Sequence, residues 1–504
     1  MLQSRDRKGS RFRHSLPIRL EARAAPLRSS PSAIMVLPAP MRHPADIFVD
    51  QHVNRHRDRL LEELKDFLRI PSISTLPEHQ PDIARAAEFV AESLRSAGLE
   101  NVETIPTAGN PLIYGDWLHA PGKPTVLCYG HYDVQPPDPL ELWHSPPFEP
   151  TVHDGNIYAR GASDDKGQMY MHIKAAEALC AVHGGKLPLN LKFLIEGEEE
   201  IGGASISKFV AENPAKLKAD AALVSDTQLY AEGLPTLCIG LRGLVYMEVE
   251  ATGPARDLHS GLYGGAAPNP IHGLMEMFSK CKDATGSIRI PGMYDDVAPP
   301  AAVERESWKR LPFDEAQFLR QEVGAQELIG EMGYSVLERV WARPTLEVHG
   351  IAGGFTGVGS KTVIPSKAVA KVSFRLVPNQ NPERILRSFR DFLQFNAPQG
   401  IRMELRVLSA APAVLVDPDH PAIRIASQAF GEMLGKPTVL TRNGGSIPVV
   451  GDFATHLGIP TILMGFGLPD DGLHSPNEKY RIGNYYTGIM TIAHFFEQYG
   501  ASAG

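Results

Sequence analysis

Five residues of this chain could hold divalent metal ions, and four of them follow short apolar runs. The run 124–129 (PTVLCY) leads into Gly130, His131, Tyr132 and Asp133. The alternating run 189–195 leads into Glu196, Gly197, Glu198, Glu199 and Glu200. The run 221–224 (AALV) leads into Ser225 and Asp226, and 460–464 (PTILM) leads through Gly465-Phe466-Gly467 toward His474. Asp164 sits on a loop. Two imidazoles and three carboxylates without a thiolate suit zinc, and also manganese or cobalt. One histidine per ion plus a shared carboxylate makes a two-metal site, which polarises a carbonyl and lowers the pKa of a water. A further carboxylate outside the ligand set must take the water's proton. The adjacent pair Glu199 and Glu200 can divide these tasks, because consecutive side chains at a strand end point in different directions.

Singly, each of these signals is ordinary. A lone histidine at a strand end is usually a hydrogen-bonded structural group, a run of glutamates is usually a solvated face, and Asp-Asp-Lys-Gly is as readily a surface turn. Their joint occurrence at successive strand ends carries the weight. In an open α/β sheet, ligands bind outside the carboxyl ends of the strands, where residues far apart in the chain converge.

Such convergence requires strands alternating with helices. Leu60, Leu61, Leu64, Phe67 and Leu68 recur at helical spacing and predict a helix over 54–69, ended by Pro71. A second helix is expected over about 82–97, a strand region over 101–115, and helices over 165–182 and 204–212. The pattern predicts an α/β catalytic domain with a mostly parallel sheet flanked by helices and a dinuclear metal site at the strand ends. From about 240 to 410 it changes. Strands are expected over 244–250, 367–376 and 402–408, with a helix over 382–395 that Asn381 caps and Pro382 opens. This predicts an inserted α+β lid. The expected division is a tail over 1–45, a catalytic domain over 46–239 and 411–504, and the insertion over 240–410.

The composition is that of an ordinary globular protein. Of 504 residues 43% are hydrophobic and 21% charged, which excludes a disordered or fibrous chain. No apolar run reaches the roughly 18 residues of a membrane span, so no membrane role is expected. Cys128, Cys180, Cys238 and Cys281 are widely spaced, which argues against a disulfide framework or a thiolate zinc site and for a reducing, cytoplasmic setting. Residues 1–30 carry eight basic side chains against Asp6 and Glu21, whereas the whole chain has a formal net charge of −8. The body is therefore distinctly acidic, which argues against a nucleic-acid partner. The tail lacks the apolar core of a secretory signal. It is Arg- and Ser-rich like a transit peptide, but Pro17 and Pro26 interrupt a helix, so it is expected to be disordered or to precede a true start at Met35 or Met41.

The motifs GHYDVQP (130–136), RGASDDKG (160–167), EGEEEIGG (196–203), VSD (224–226) and HSPNE (474–478), in that order, resemble the M20 family of metallopeptidases. DLHSGLYGG (257–265), KTVIP (361–365), FRLVPNQ (374–380) and GGSIP (444–448) resemble its dipeptidase branch, which includes cytosolic nonspecific dipeptidase and carnosinase. The resemblance spans about 55–500. It implies that His131, Asp164 and Asp226 bind one ion and that Asp164, Glu200 and His474 bind the other. Zinc is expected, with Mn2+ or Co2+ as alternatives. Asp133 would orient the His131 ring, Glu199 would be the general base, and the Asp164-Asp165 peptide bond would be cis.

The resemblance further implies that His259 stabilises the oxyanion, commonly in a partner subunit's site. Arg375 would hold the substrate's carboxylate, and Thr362 and Ser446 would hydrogen-bond the substrate. Gly444-Gly445 would let backbone approach it closely. The implied activity is hydrolysis of a dipeptide or similar short amide with a free carboxylate, by a hydroxide bridging the two ions. The alternative is an N-acyl amino acid deacylase using the same site. A homodimer through the lid is implied, with hinges near 238–242 and 408–414.

Overall fold

The computed structural model describes residues 44–502. The tail expected over 1–45 lies outside them except for the first two residues of the helix Pro44–Arg55. The amphipathic segment expected as one helix over 54–69 is the second of two, Arg57–Leu68, and His56 separates them at φ −107° and ψ 15°. Leu60, Leu64, Phe67 and Leu68 are buried, as their spacing requires.

Among the described residues the large sheet has nine strands. Its order is Glu100–Ile105, Leu112–Trp117, Asn190–Glu196, Thr125–His131, Ala221–Val224, Thr461–Leu463, Thr236–Leu241 and Val414–Leu415, with Val439–Asn443 also pairing to Thr236–Leu241. The four strands from Asn190–Glu196 to Thr461–Leu463 run parallel, and antiparallel pairs flank them. Parallel direction puts their carboxyl ends on one edge of the sheet, where His131 and Asp226 emerge. Alternate residues face opposite ways. Val126, Cys128, Phe193 and Leu223 pack under the helices Gln80–Ser96, Lys166–Val182 and Ile482–Ser502. Leu127, Tyr129, Leu194 and Val224 pack under Ala204–Glu212 and Pro448–Asp452. The helix Ile482–Ser502 is unmarked by sequence periodicity. It buries Tyr485, Ile489, Ile492, Phe495 and Phe496 among other residues, so its apolar surface is too wide to read as a stripe.

A second sheet is wholly antiparallel, in the order Thr345–Gly353, Lys367–Leu376, Gly243–Thr252, Arg402–Ala411. The helices Pro270–Ser279 and Pro382–Asn396 cover one face, setting Leu274, Met277, Ile385, Phe389 and Leu393 against Val245, Met247, Val372 and Phe374. Asn381 caps the second helix, accepting from the Arg384 N–H at 3.0 Å. Between Ser279 and Thr345 the chain first stays with this core through Cys281, Ile288, Ile290 and Met293 and then leaves it. Trp308, Leu311, Leu337 and Ala342 form a small core with Val439 of the large sheet. Among the described residues, no helix is long and apolar enough to cross a membrane.

The chain passes between the two sheets at 241–243 and again at 411–414. There a Cβ on Gly243 would lie 2.6 Å from the Ala413 nitrogen and 2.7 Å from the Ala411 oxygen. Gly243→Ala should therefore force the crossings apart and destabilise the protein by about 1–3 kcal/mol. A Cβ on Gly350 meets nothing within 4 Å, so Gly350→Ala should stay within about 0.5 kcal/mol of the parent. Urea denaturation midpoints of the two variants check this.

Candidate metal centre

His131 ends a central parallel strand, and its side chain is fully buried. Its Nε2 lies 3.2 Å from Asp164 Oδ1. Its Nδ1 lies 3.1 Å from the Asp133 carbonyl and 3.4 Å from the Asp133 carboxylate. His474 stands eleven residues past the strand Thr461–Leu463, at φ +59°. Its Nε2 lies 3.0 Å from Asp164 Oδ2 and 3.2 Å from Glu200 Oε2. Asp164 thus faces one imidazole with each oxygen. Ligand atoms of His131, Asp164 and Asp226 lie within 4.8 Å of one another, and so do those of Asp164, Glu200 and His474. The Asp164-Asp165 peptide is cis. Asp165 turns the other way, and its Oδ2 accepts from the His131 N–H at 3.2 Å.

The three consecutive glutamates have three different surroundings. The strand ends at Glu196, and Glu199–Ile201 form a short 3-10 turn, so the turn rather than strand alternation separates the side chains. Glu198 accepts from Asn110 N at 2.8 Å and Ser205 N at 3.1 Å, which occupies it structurally. Glu200 accepts from Gln135 Nε2 at 2.8 Å. Among the described residues Glu199 has no side-chain hydrogen bond. Burial pushes its carboxyl up to about 8, with Glu200 and Asp164 adding to the rise. Asp133 holds the turn, its two oxygens accepting from the Glu199 and Glu200 N–H groups at 3.2 Å each.

The electrostatics call for cations. Burial, with Asp164 nearby, pushes the Asp226 carboxyl well above its ordinary range. Burial and Asp226 do the same to Asp165, whose Oδ1 is buried without a partner among the described residues. For Asp164 burial also acts upward, but hydrogen bonds from His131 and His474 outweigh it and hold the group low. Hydrogen bonds to Asp164 and Glu200 raise His474 to about 10. Crowded, dry carboxylates of this kind are costly unless paired or bound to metal. The donor set of imidazole and carboxylate fits a zinc-like ion.

The remaining candidates form two further groups. Arg375, at the end of Lys367–Leu376, donates from Nη1 to Ser446 Oγ at 3.1 Å. His259 pairs with Val363 on a two-stranded ladder of the inserted region, and just beyond it Ser260 N donates to Thr362 O at 3.0 Å. His259 is exposed, and Nδ1 accepts from Gly261 N at 2.9 Å. No hydrogen bond joins this pair to Arg375 or to the metal-capable groups among the described residues.

Three participants escaped the sequence reading. Glu478, within HSPNE, accepts from Arg160 Nη1, Gly161 N, Ser163 N and Asp164 N at 2.8–3.1 Å. Gln135, within GHYDVQP, holds Glu200. Arg242 donates from Nε to Gly444 O at 3.1 Å, accepts from Ser446 Oγ at its carbonyl, and leaves Nη1 buried without a partner among the described residues. Glu478 and Gln135 lay inside recognised motifs, whereas nothing local marked Arg242.

Comparison with known proteins points to a family of peptidases. Residues 127–498 match the sequence model of Peptidase family M20/M25/M40. The Cys-Gly metallodipeptidase DUG1 of Candida albicans is 32% identical over 467 residues, covering 88% of this chain and 95% of that protein. The human Beta-Ala-His dipeptidase is 30% identical over 468 residues, covering 89% and 91%. The solved structure of an M20 family metallo-carboxypeptidase, Sso-CP2 from Sulfolobus solfataricus, superposes with a TM-score of 0.79 at 32% identity, covering 88% of this chain and 99% of that one.

Metal binding should be proton-linked. In the metal-free protein His474 holds its proton up to about pH 10, and a ligating imidazole must be neutral. Divalent-ion affinity should therefore rise with pH between about 6 and 9, with proton release on binding. Titration calorimetry in buffers of different ionisation enthalpy checks this. An affinity that is flat across that range would contradict it.

Proposed function

The chain belongs to peptidase family M20, and on that premise we propose that it is a metal-dependent dipeptidase, hydrolysing the amide bond of dipeptides or similar short substrates with a free carboxylate. It is a metallopeptidase, a hydrolase of peptide bonds. Asp164 carries the reading, because one carboxylate serves both metal-capable groups. His131, Asp164 and Asp226 would hold one divalent ion, and Asp164, Glu200 and His474 the other, with zinc as the proposed metal. When bound, the ions supply Lewis-acid polarisation of the scissile carbonyl and a water of lowered pKa.

The residues of the chain do the rest. Asp133 fixes the His131 ring and the backbone of Glu199 and Glu200. Glu199, whose side chain has no hydrogen bond among the described residues, takes the water's proton and delivers it to the leaving amine. Arg375 binds the substrate carboxylate through its planar fork, with Ser446 beside it. His259 and Thr362 complete the site from a second copy of the chain. Their exposure and their separation from the metal-capable groups support that homodimer through the lid. The proposed catalytic domain is 46–239 with 411–504, and the proposed lid is 240–410, on the support of its separate sheet and core. A reducing, cytoplasmic setting is proposed on the four unpaired cysteines. The deacylase alternative has less support, since the curated relatives named above are dipeptidases.

Metal-stripped protein should not cleave free dipeptides, and added Zn2+ or Mn2+ should restore cleavage. Glu199→Gln should retain its metal while kcat falls by about 10²–10⁴. Asp164→Asn should lower the metal content at both positions. Kinetics on a dipeptide panel beside metal analysis tests all three. Metal-loaded protein that cleaves N-acyl amino acids but no free dipeptide would sink the dipeptidase reading.

A further inference from the structure

The run from Ala301 to Arg343 forms a strap between the inserted region and the large sheet. At the sheet, Glu304 makes a two-point ion pair with Arg442, at 2.7 Å to Nε and 2.8 Å to Nη2. Both side chains are 6–7% exposed. The Arg442 guanidinium lies 5.9 Å from the centre of the Trp308 ring. At the other end Arg343 forks onto Glu331 at 2.7 and 2.6 Å, over the ring of Tyr334, and Met332 N donates to Thr285 O.

Arg442 directly precedes the loop that carries Ser446. Along that loop Arg242 N donates to Asn443 O at 3.3 Å, and Gly445 N donates to Asn443 Oδ1 at 2.9 Å. Gly444 is wedged. A Cβ there would lie 2.9 Å from Arg242 Nη2 and 3.1 Å from the strap's Val340 carbonyl. The strap therefore grips the loop at Arg442 and at Gly444, and the loop in turn holds Arg375 through Ser446.

A buried ion pair is a weak source of stability, because desolvation offsets most of the attraction. Its two-point geometry does fix direction and register. We propose that Glu304 is a positioning residue for carboxylate recognition: through Arg442 it sets the loop Asn443–Ser446, and hence Arg375, to the distance at which a substrate carboxylate is bound. The inference rests on the reading of Arg375 as the carboxylate-binding residue. Among the described residues, the strap shares no hydrogen bond with the metal-capable groups. It therefore acts on substrate affinity and leaves metal content alone.

The test uses the full-length, metal-loaded protein and compares a free dipeptide with its C-terminal amide. Glu304→Gln should raise KM for the free dipeptide about tenfold, hold kcat within about twofold, and lower the preference for free over amidated substrate by a similar factor. Metal content should not change, which a general loss of structure would not allow. The paired change Glu304→Met with Arg442→Met leaves no buried charge uncompensated, and it decides the matter if Glu304→Gln does not fold. Arg375→Met is the reference. If it abolishes the preference while both Glu304 variants keep it, the positioning role is wrong. If Arg375→Met leaves the preference intact, the carboxylate reading itself fails, and the inference with it.

Discussion

One buried carboxylate joins the two halves of the chain that build the centre. Glu478 accepts four hydrogen bonds from the segment Arg160–Asp164, including three from consecutive or near-consecutive backbone N–H groups. Burial is the main cause that raises its carboxyl to about 7, with Asp164 adding to the rise and Arg160 and the backbone N–H groups opposing it. Hydrogen bonds to an ionised acceptor are the strong kind, and losing one partner would leave a dry charge. The segment so held carries Asp164, and the turn that holds it carries His474. Three neighbouring bonds repeat the device. Asp471 accepts from Ser163 Oγ at 2.8 Å, and Gln168 accepts from the Phe466 and Gly467 N–H groups at 2.7 and 3.2 Å. The distance between Asp164 and His474 is therefore a consequence of bonds made outside the centre.

The same logic explains how so many acids can stand together. Three carboxylates with a structural duty are occupied by N–H donors: Asp133 by the glutamate turn, Glu198 by Asn110 and Ser205, Asp165 by His131. The carboxylates left over are Asp164, Glu200, Asp226 and Glu199. Asp164 and Glu200 face the imidazoles, with Gln135 steadying Glu200, and among the described residues Glu199 has no side-chain hydrogen bond. Structural acids and working acids thus differ in their partners, backbone N–H groups for the first and imidazoles for Asp164 and Glu200, since their residue types are the same. The inserted region adds a second layer. Its antiparallel sheet carries Arg375 to the loop of Ser446, while the strap ties that loop back to both parts of the chain.

Local pattern announced much of this. Alternation and strand-end position marked Thr125–His131, Asn190–Glu196 and Ala221–Val224 to within a residue or two, because a strand buried on both faces admits little else. The helix Pro382–Asn396 was announced by its cap and its proline. The motifs placed His131, Asp164, Glu200, Asp226 and His474 as one donor set, and the structure brings their ligand atoms into two overlapping groups. The break at His56 was not legible, nor was Ile482–Ser502, whose apolar surface is too broad for a stripe. The strand Thr345–Gly353 was missed because residues 347–352 are exposed and carry no alternation.

What the sequence by itself determined is the chemistry: which residue types can ligate, take a proton or bind a carboxylate, and which apolar runs lead into them. Short-range periodicity and motif spacing carry that information because both arise within a few residues. Pairing across hundreds of residues was decided only by the tertiary structure. It chose Glu199 as the unencumbered glutamate, gave Glu478 the donors of Arg160–Asp164, and set Glu304 against Arg442. Each of those choices depends on which backbone N–H or side chain the packed helices and sheets bring within about 3 Å of a buried oxygen, and no local window of the sequence contains both partners.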